Sequence, residues 1–358
     1  MSNDVRVAII GVGNCASALV QGVNYYKEAK EDASVPGLLH VKFGDYHVRD
    51  IKFVAAFDID SRKVGNDLSE AIFTEPNNTR AFCKVPKTGA TVVRGNVLDS
   101  LGKFLKPIIP VDLKQEPVNV AEVLRKMRAQ VVLNYLPVGS EKATQWYAEQ
   151  AIEAGCAFVN CMPVFIASDP VWQKKFEDAK LPVTGDDVMS QIGATVLHKT
   201  LLKLLVDRGV LVENSYQLNI GGDTDFLNML EEERLKSKRV SKTSAVQALV
   251  PYKIPLRIGP SDYVDFLENK KICYIQVDGK YFGDTPVKID VKLDVFDSPN
   301  SAGIVIDALR AAKIALDRGI AGPLTSVSAY AFKHPPIQAP YEDAKKWVDE
   351  FVEGKRER

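Results

Sequence analysis

Three residues close to the N-terminus, Gly11, Gly13 and Ala16 in "IIGVGNCASAL", have the G-x-G-x-x-[GA] spacing directly after an apolar run. The first glycine permits a tight turn and the second lets a pyrophosphate approach the backbone. A small third residue lets the following helix pack on the strand while its N-terminus faces the negative charge. Asp58, which closes "FVAAFD", is the next candidate. An acidic residue at the end of the second strand holds ribose hydroxyls and repels a 2′-phosphate, so it favours NAD over NADP. It comes 47 positions after Gly11, the excess being an insertion, "NYYKEAKEDASVPGLLHVKFGDYHVRD". The bland alternatives are a structural glycine turn and a turn aspartate. A third stretch, "LEEERLKSKRVSKTS", places four basic side chains in the seven positions from Lys236 to Lys242. On its own such a run reads as a solvated, chemically idle face.

The elements that must position these residues follow from the hydrophobic pattern. "RVAIIG" (6–11), "FVAAFD" (53–58), "TVVRG" (91–95), "VVLNYLP" (131–137), "AFVNCMP" (157–163) and "LPVTGDD" (181–187) are short, continuous apolar runs. Runs of that kind fit strands covered on both faces, as in a parallel sheet. Helical stretches lie between them: Ser140 is placed to cap "EKATQWYAEQAIEA", and Asp169-Pro170 opens "VWQKKFEDA". Past residue 195 the pattern changes. "TVLHKTLLKLLVDRG" is an amphipathic helix ending at Gly209, Asp278-Gly279 reads as a hairpin turn, and "VKIDVKLDVF" (287–296) alternates strictly. Ser301 is placed to cap "AGIVIDALRAAKIALDRG". The expected fold is α/β: a Rossmann-like doubly wound parallel sheet over 1–194, and a second α+β domain built on a largely antiparallel sheet over 195–297. The helix and tail 298–358 return to the first domain.

Bulk properties exclude several classes. Lys plus Arg (46) balance Asp plus Glu (46), so no overall field points to nucleic acid or membranes. No apolar run reaches the ~18 residues of a membrane span, and "MSNDVRVAII" is too short for a signal peptide. Five cysteines without C-x-x-C suggest reduced thiols and a cytoplasmic protein. Four scattered histidines, at 40, 47, 198 and 334, give no metal motif.

Longer segments carry a resemblance. "VAIIGVGNCASALVQG", "VPGLLH", "VRDIKFVAAFDID", "YLPVGSE", "VNCMPVFIASDPVW", "GDDVMSQIGAT", "DFLNMLEEERLKSKRVSKT" and "DSPNSAGIVIDALRAAKIA" together resemble the inositol-phosphate synthase family, in its shorter prokaryotic branch. The resemblance spans nearly the whole chain. It implies conversion of D-glucose 6-phosphate to 1L-myo-inositol 1-phosphate, with NAD regenerated in each turnover. The family oxidises C5, enolises, closes the ring by aldol addition of C6 to C1, and reduces the ketone again. An enolate needs fixed positive charge beside its oxygen, and a phosphate needs cations or N–H donors.

By the same resemblance the active-site residues are Asp187, Asp225, Lys238, Lys242, Lys271, Asp297 and Lys333, with Lys270 as the register alternative to Lys271. Asn219, Lys238, Lys242 and Lys333 would contact the substrate. Gly11, Gly13, Asn14, Cys15, Ala16, Asp58, Asn77, Asn78, Leu136, Pro137, Asp187, Ser190 and Asp297 would line the nucleotide. Which lysine is the base stays open, since a lysine acts as a base only with a lowered pKa. On a helix, Lys238 and Lys242 would share a face about 6 Å apart, and an anionic ligand would offset their repulsion. Residues 225–245 are therefore expected to order over the substrate, whereas Lys236 and Arg239 keep the solvated reading. Plainer readings stand beside these: Asp297 as a helix start, Cys15 as a packing residue, His198 as a core histidine, Asn77 and Asn78 as a turn. A divalent or monovalent cation is left open. The family implies a homo-oligomer, a tetramer joined through the second sheet. The competing functions are an ordinary NAD-dependent oxidoreductase with net hydride transfer and a non-catalytic NAD-sensing module.

Overall fold

The computed structural model describes residues 3–231, 234 and 243–358; Lys236, Lys238, Arg239 and Lys242 lie outside the described residues. Strands β1 (Val5–Ile10), β4 (Ile51–Asp58), β5 (Val92–Arg94), β6 (Val131–Asn134), β7 (Ala157–Asn160) and β8 (Pro182–Thr184) coincide with the six apolar runs. With β13 (Gly322–Pro323) they form one seven-stranded sheet in the order β13-β8-β7-β6-β1-β4-β5. Every pairing in it is parallel. The continuous apolar character has its cause in two covered faces. Val5, Val7 and Ile9 of β1 enter one core cluster, and Ala8 and Ile10 enter another on the opposite side.

Helices α1 (Asn14–Tyr26), α2 (Glu141–Ala154), α3 (Pro170–Asp178) and α4 (Ala194–Asp207) follow the sequence pattern. Asp169 caps α3 by accepting from the N–H groups of Val171 and Trp172, whereas Ser140 sits at the N-cap of α2 without a side-chain bond. After the short α5 (Thr224–Asn228) comes α6 (Asp297–Asp317), buried almost throughout and packed on α1 and on the first sheet. Helices α7 (Thr325–Ala331) and α8 (Tyr341–Val352) finish the chain.

Within the insertion, β2 (Lys42–Phe43) and β3 (Tyr46–His47) form a two-stranded ladder. The fully buried Arg310 of α6 fastens it, donating to the carbonyls of His40 (2.7 Å), Val41 (2.8 Å) and Tyr46 (3.1 Å) and to Asp307. A second sheet, in the order β10-β9-β11-β12, joins β9 (Leu211–Gly221), β10 (Leu256–Tyr263), β11 (Lys270–Tyr281) and β12 (Thr285–Phe296). Its β9–β11 and β11–β12 pairs are antiparallel and its β10–β9 pair is parallel. No helix among the described residues is long and apolar enough to cross a membrane.

Two local expectations are corrected. Asp278-Gly279 is not a turn: β11 runs through it, and the chain reverses at Phe282–Asp284, where Gly283 has φ +69°. Gly279 serves a close approach, since a Cβ there would lie 2.7 Å from the Leu211 carbonyl oxygen at a register shift of the sheet. Ser301 does not cap its helix, because α6 begins four residues earlier at Asp297, and Ser301 Oγ donates to the Ser298 carbonyl.

Candidate active site

One cavity opens at the C-terminal ends of β1, β4 and β6, where the first sheet faces the end of β9 and the start of α6. Its floor is the loop between β1 and α1. Gly11 has φ +87°, and a Cβ there would meet the Tyr135 carbonyl oxygen at 2.6 Å, so only glycine fits this turn. At Gly13 a Cβ would meet nothing within 4 Å, which leaves that side of the loop open. No side chain caps α1, so its first N–H groups remain available to an anion. Asp58 anchors the loop. Its Oδ2 accepts from Val12 N at 2.7 Å, and its Oδ1 accepts from Ile59 N and Asp60 N. Asn14 Oδ1 accepts from the N–H groups of Asn78 and Thr79, and Asn77 Nδ2 donates to the Val12 carbonyl, which draws the 77–79 segment over the loop.

The expected nucleotide residues Gly11, Gly13, Asn14, Cys15 and Asp58 line this cavity. So do Asn77, Leu136, Pro137, Asp187, Ser190 and Asp297. Ala16 is fully buried behind the loop, where its small size matters for packing. Asn78 is not part of the lining; its side chain bridges toward Gly222 and Asn269.

The far wall carries two cation–carboxylate pairs. Lys333 Nζ donates to Asp187 Oδ1 at 2.7 Å, and Asp187 has φ +62°, in the left-handed region. Lys271 Nζ lies 3.2 and 3.3 Å from the two oxygens of Asp297. The register question is thereby answered: Lys271 points into the cavity, while Lys270 is exposed beside the Phe296 ring. Asp225 and Asn219 line the same space. Every described residue assigned to catalysis or substrate therefore shares one cavity with the glycine loop.

A family model described as myo-inositol-1-phosphate synthase matches residues 193–298. The inositol-3-phosphate synthase of Mycolicibacterium smegmatis is 54% identical over 360 residues, covering 99% of each chain. The chain belongs to the inositol-3-phosphate synthase family. Such synthases are isomerase-type enzymes. The synthase of Corynebacterium glutamicum is 52% identical, over 98% of this chain and 99% of its own. A crystal structure of a myo-inositol-1-phosphate synthase-related protein from Thermotoga maritima superposes with a TM-score of 0.83 at 28% identity, covering 98% of each chain.

For a synthase, charge at this wall is the central quantity. Burial opposes the charge on Lys271, but Asp297 first, then Asp225 and Asp223, outweigh it and raise its pKa. Lys271 is thus held as a cation, which suits it to stabilising an oxyanion and unsuits it to taking a proton. Burial, followed by the negative charges of Asp297 and Asp225, raises Asp223. Cys15 is pushed up to about 12 by burial and by Asp297, so its thiol stays protonated and packs, as its plain reading had it.

Several residues in the lining or just behind it escaped sequence reasoning. Asp223 has the signature of a helix cap, and it does accept from the N–H groups of Asp225 and Phe226. Lys63, buried under the loop, donates to the Val12 carbonyl at 2.8 Å and to Asn77 at 3.0 Å. No local pattern marks it out. Asp186, next to Asp187 and fully buried, accepts from Asn160, from Ser168 Oγ and from the N–H groups of Ile166, Ala167 and Ser168. Burial raises it to about 6, and its network holds the strand end that carries Asp187. "GDD" gave the pair, but both aspartates are buried, and only their partners and the cavity lining distinguish the anchoring Asp186 from Asp187.

Proposed function

We propose that this chain converts D-glucose 6-phosphate to 1L-myo-inositol 1-phosphate with a catalytic, regenerated NAD, in the first step toward inositol and its phospholipids. One observation carries the reading: the Lys271–Asp297 and Lys333–Asp187 pairs face the cavity that holds the glycine loop. A simple dehydrogenase needs one acid–base group; an enolising, ring-closing enzyme needs several fixed cations.

The residues fit a dinucleotide. The open side of Gly13 and the uncapped start of α1 would take the pyrophosphate, and Asp58 stands where ribose hydroxyls are held. NAD, when bound, supplies the reversible hydride transfer at C5. The chain's own residues do the rest. Lys271 and Lys333 hold negative charge on the C5 oxygen while the neighbouring proton is removed. Asp297 keeps the Lys271 ammonium charged and aimed, Asp187 aims that of Lys333, and Asp225 and Asn219 orient the sugar. By the resemblance, Lys242 joins Lys271 and Lys333 in charge around the C5 oxygen, Lys238 is assigned to proton transfer, and both are assigned to substrate; both lie outside the described residues. We assign residues 1–194 to nucleotide binding and 195–297 to catalysis and oligomerisation, with 298–358 returning to the first unit. A homotetramer is proposed, and the free state of all five cysteines suits the reducing cytoplasm.

Incubation with NAD and glucose 6-phosphate, following inositol phosphate and absorbance at 340 nm together, tests the proposal. Product without net NADH is expected. Net NADH would mean an ordinary dehydrogenase, and neither signal would leave a sensor. Running the assay with and without divalent and ammonium ions reads the cation requirement directly.

A further inference from the structure

Ser215, Gln217 and Asn219 alternate along β9 and are all buried. A period of two puts them on one face of the sheet, the face covered by α4. His198 of α4 completes the series. Its Nε2 lies 2.8 Å from Ser215 Oγ, its Nδ1 lies 3.3 Å from Gln217 Oε1, and Gln217 Nε2 lies 3.0 Å from Asn219 Oδ1. The surroundings are otherwise apolar, with Leu202, Val212, Cys273, Ile275 and Val277 packed about them. Four polar side chains are costly there unless each is paired. They are paired, except that one end of the Asn219 amide is buried without a partner among the described residues, and Asn219 lines the cavity.

Counting protons gives the series a direction. Ser215 donates its one hydroxyl proton to the Gln276 carbonyl at 2.6 Å, so it accepts from His198 Nε2–H. If the ring were doubly protonated, Nδ1–H would donate to the Gln217 oxygen, Gln217 nitrogen to the Asn219 oxygen, and an NH2 group would face the cavity. If the ring is neutral, Nδ1 is a lone pair and needs the Gln217 amino group. Both amides then exchange O for N with no change in atomic positions, and the Asn219 oxygen faces the cavity. Burial pushes His198 down to about 4, so near neutral pH the ring carries a single proton.

We infer that Ser215, His198 and Gln217 are positioning residues that lock the Asn219 amide with its carbonyl oxygen toward the substrate, where it accepts a hydrogen bond from a sugar hydroxyl. The inference rests on the glucose 6-phosphate reading and adds a polarity to it. An acceptor at this point repels a phosphate oxygen and a C5 carbonyl alike, so Asn219 reads the hydroxylated part of the sugar.

Two measurements test this. The chain has four histidines, so 15N-histidine labelling of the full-length protein with NAD, with His198→Gln to assign the signal, resolves the ring. A proton on Nε2 and none on Nδ1 at pH 7 is the expected result; a proton on Nδ1 overturns the inference. This readout needs no turnover, so it is independent of whether the product assay supports the proposed function. The second measurement compares wild type and Gln217→Leu on a panel of monodeoxy glucose 6-phosphates. Wild type should lose about tenfold in kcat/KM on one analogue through a single missing hydrogen bond. In Gln217→Leu that selective penalty should vanish, while KM for glucose 6-phosphate rises more than kcat falls. An unchanged selective penalty in the variant would show that Asn219 is oriented without the relay.

Discussion

Lys271 is partly buried beside three carboxylates, Asp297, Asp225 and Asp223, and keeps its charge because their combined field exceeds the cost of desolvation. Lys271→Met should therefore lower the rate of inositol phosphate formation about 10²–10³-fold, the usual loss for one preorganised oxyanion partner. Adding Asp297→Asn should recover part of the lost stability, measured by urea unfolding, and none of the turnover. His198 supports a second prediction at this scale. Its pKa falls from the ordinary 6.5 to about 4, so between those values the unfolded chain takes up a proton that the native ring refuses. Its contribution is complete above about pH 6.5 and is lost as pH falls toward 4, amounting to roughly 3 kcal/mol. Asp186 works in the opposite sense over much of the same window, since its pKa is raised to about 6. The quantity to measure is thus the stability difference between wild type and His198→Gln, in which Asp186 cancels. That difference should shift by about 3 kcal/mol against wild type between pH 7 and pH 4. At this scale sequence resemblance supplied Asp187, Asp225, Lys271, Asp297 and Lys333, all placed in one cavity. It missed Asp223 and Lys63, because a cap aspartate and an isolated lysine look the same in sequence whether they face solvent or a ligand.

Among the elements, the β1–α1 turn and the insertion before β4 respond to substitution for different reasons. Gly11→Ala puts a methyl 2.6 Å from the Tyr135 carbonyl at a positive φ, so the loop must move. Loss of NAD affinity by calorimetry is expected, with a stability cost of about 1–2 kcal/mol or more. Arg310→Met removes the donor that ties the carbonyls of His40, Val41 and Tyr46 to α6 and leaves the buried Asp307 with only His40 Nδ1 beside it. Breaking one side of a buried pair costs about 3–5 kcal/mol. Thermal unfolding should show that loss, and limited proteolysis should then cut first within residues 27–50. Six of the seven strands of the first sheet were readable because both their faces are covered, which leaves continuous apolar runs; the two-residue β13 leaves none. The start of α6 and the reversal after β11 were misread. At both places strong local signals, Ser301 and Asp278-Gly279, were overridden by sheet pairing and by burial along the whole helix.

Across the whole molecule, β12 is one edge of the second sheet, unpaired on its outer side among the described residues, with Lys288, Asp290, Lys292 and Asp294 exposed and the apolar row Val287 to Val295 only half-buried. A half-covered apolar row on a sheet edge is what a second copy would bury. Sedimentation should therefore give a mass well above the 39.5 kDa of one chain, and Ile289→Glu should shift it downward while leaving the circular dichroism unchanged. Sequence by itself determined the doubly wound architecture, the glycine loop and most of the candidate residues that share its cavity, because those depend on local periodicity, on glycine geometry and on motifs long enough to resemble a family. Tertiary structure alone decided which lysine of the 270–271 pair faces inward, which aspartate of "GDD" anchors and which lines the cavity, and how His198 connects to Asn219 through Gln217. Those are questions of burial and of partners far apart in the chain. Field strength, proton position and amide orientation are set by what surrounds a side chain in space, and one-dimensional spacing does not carry that.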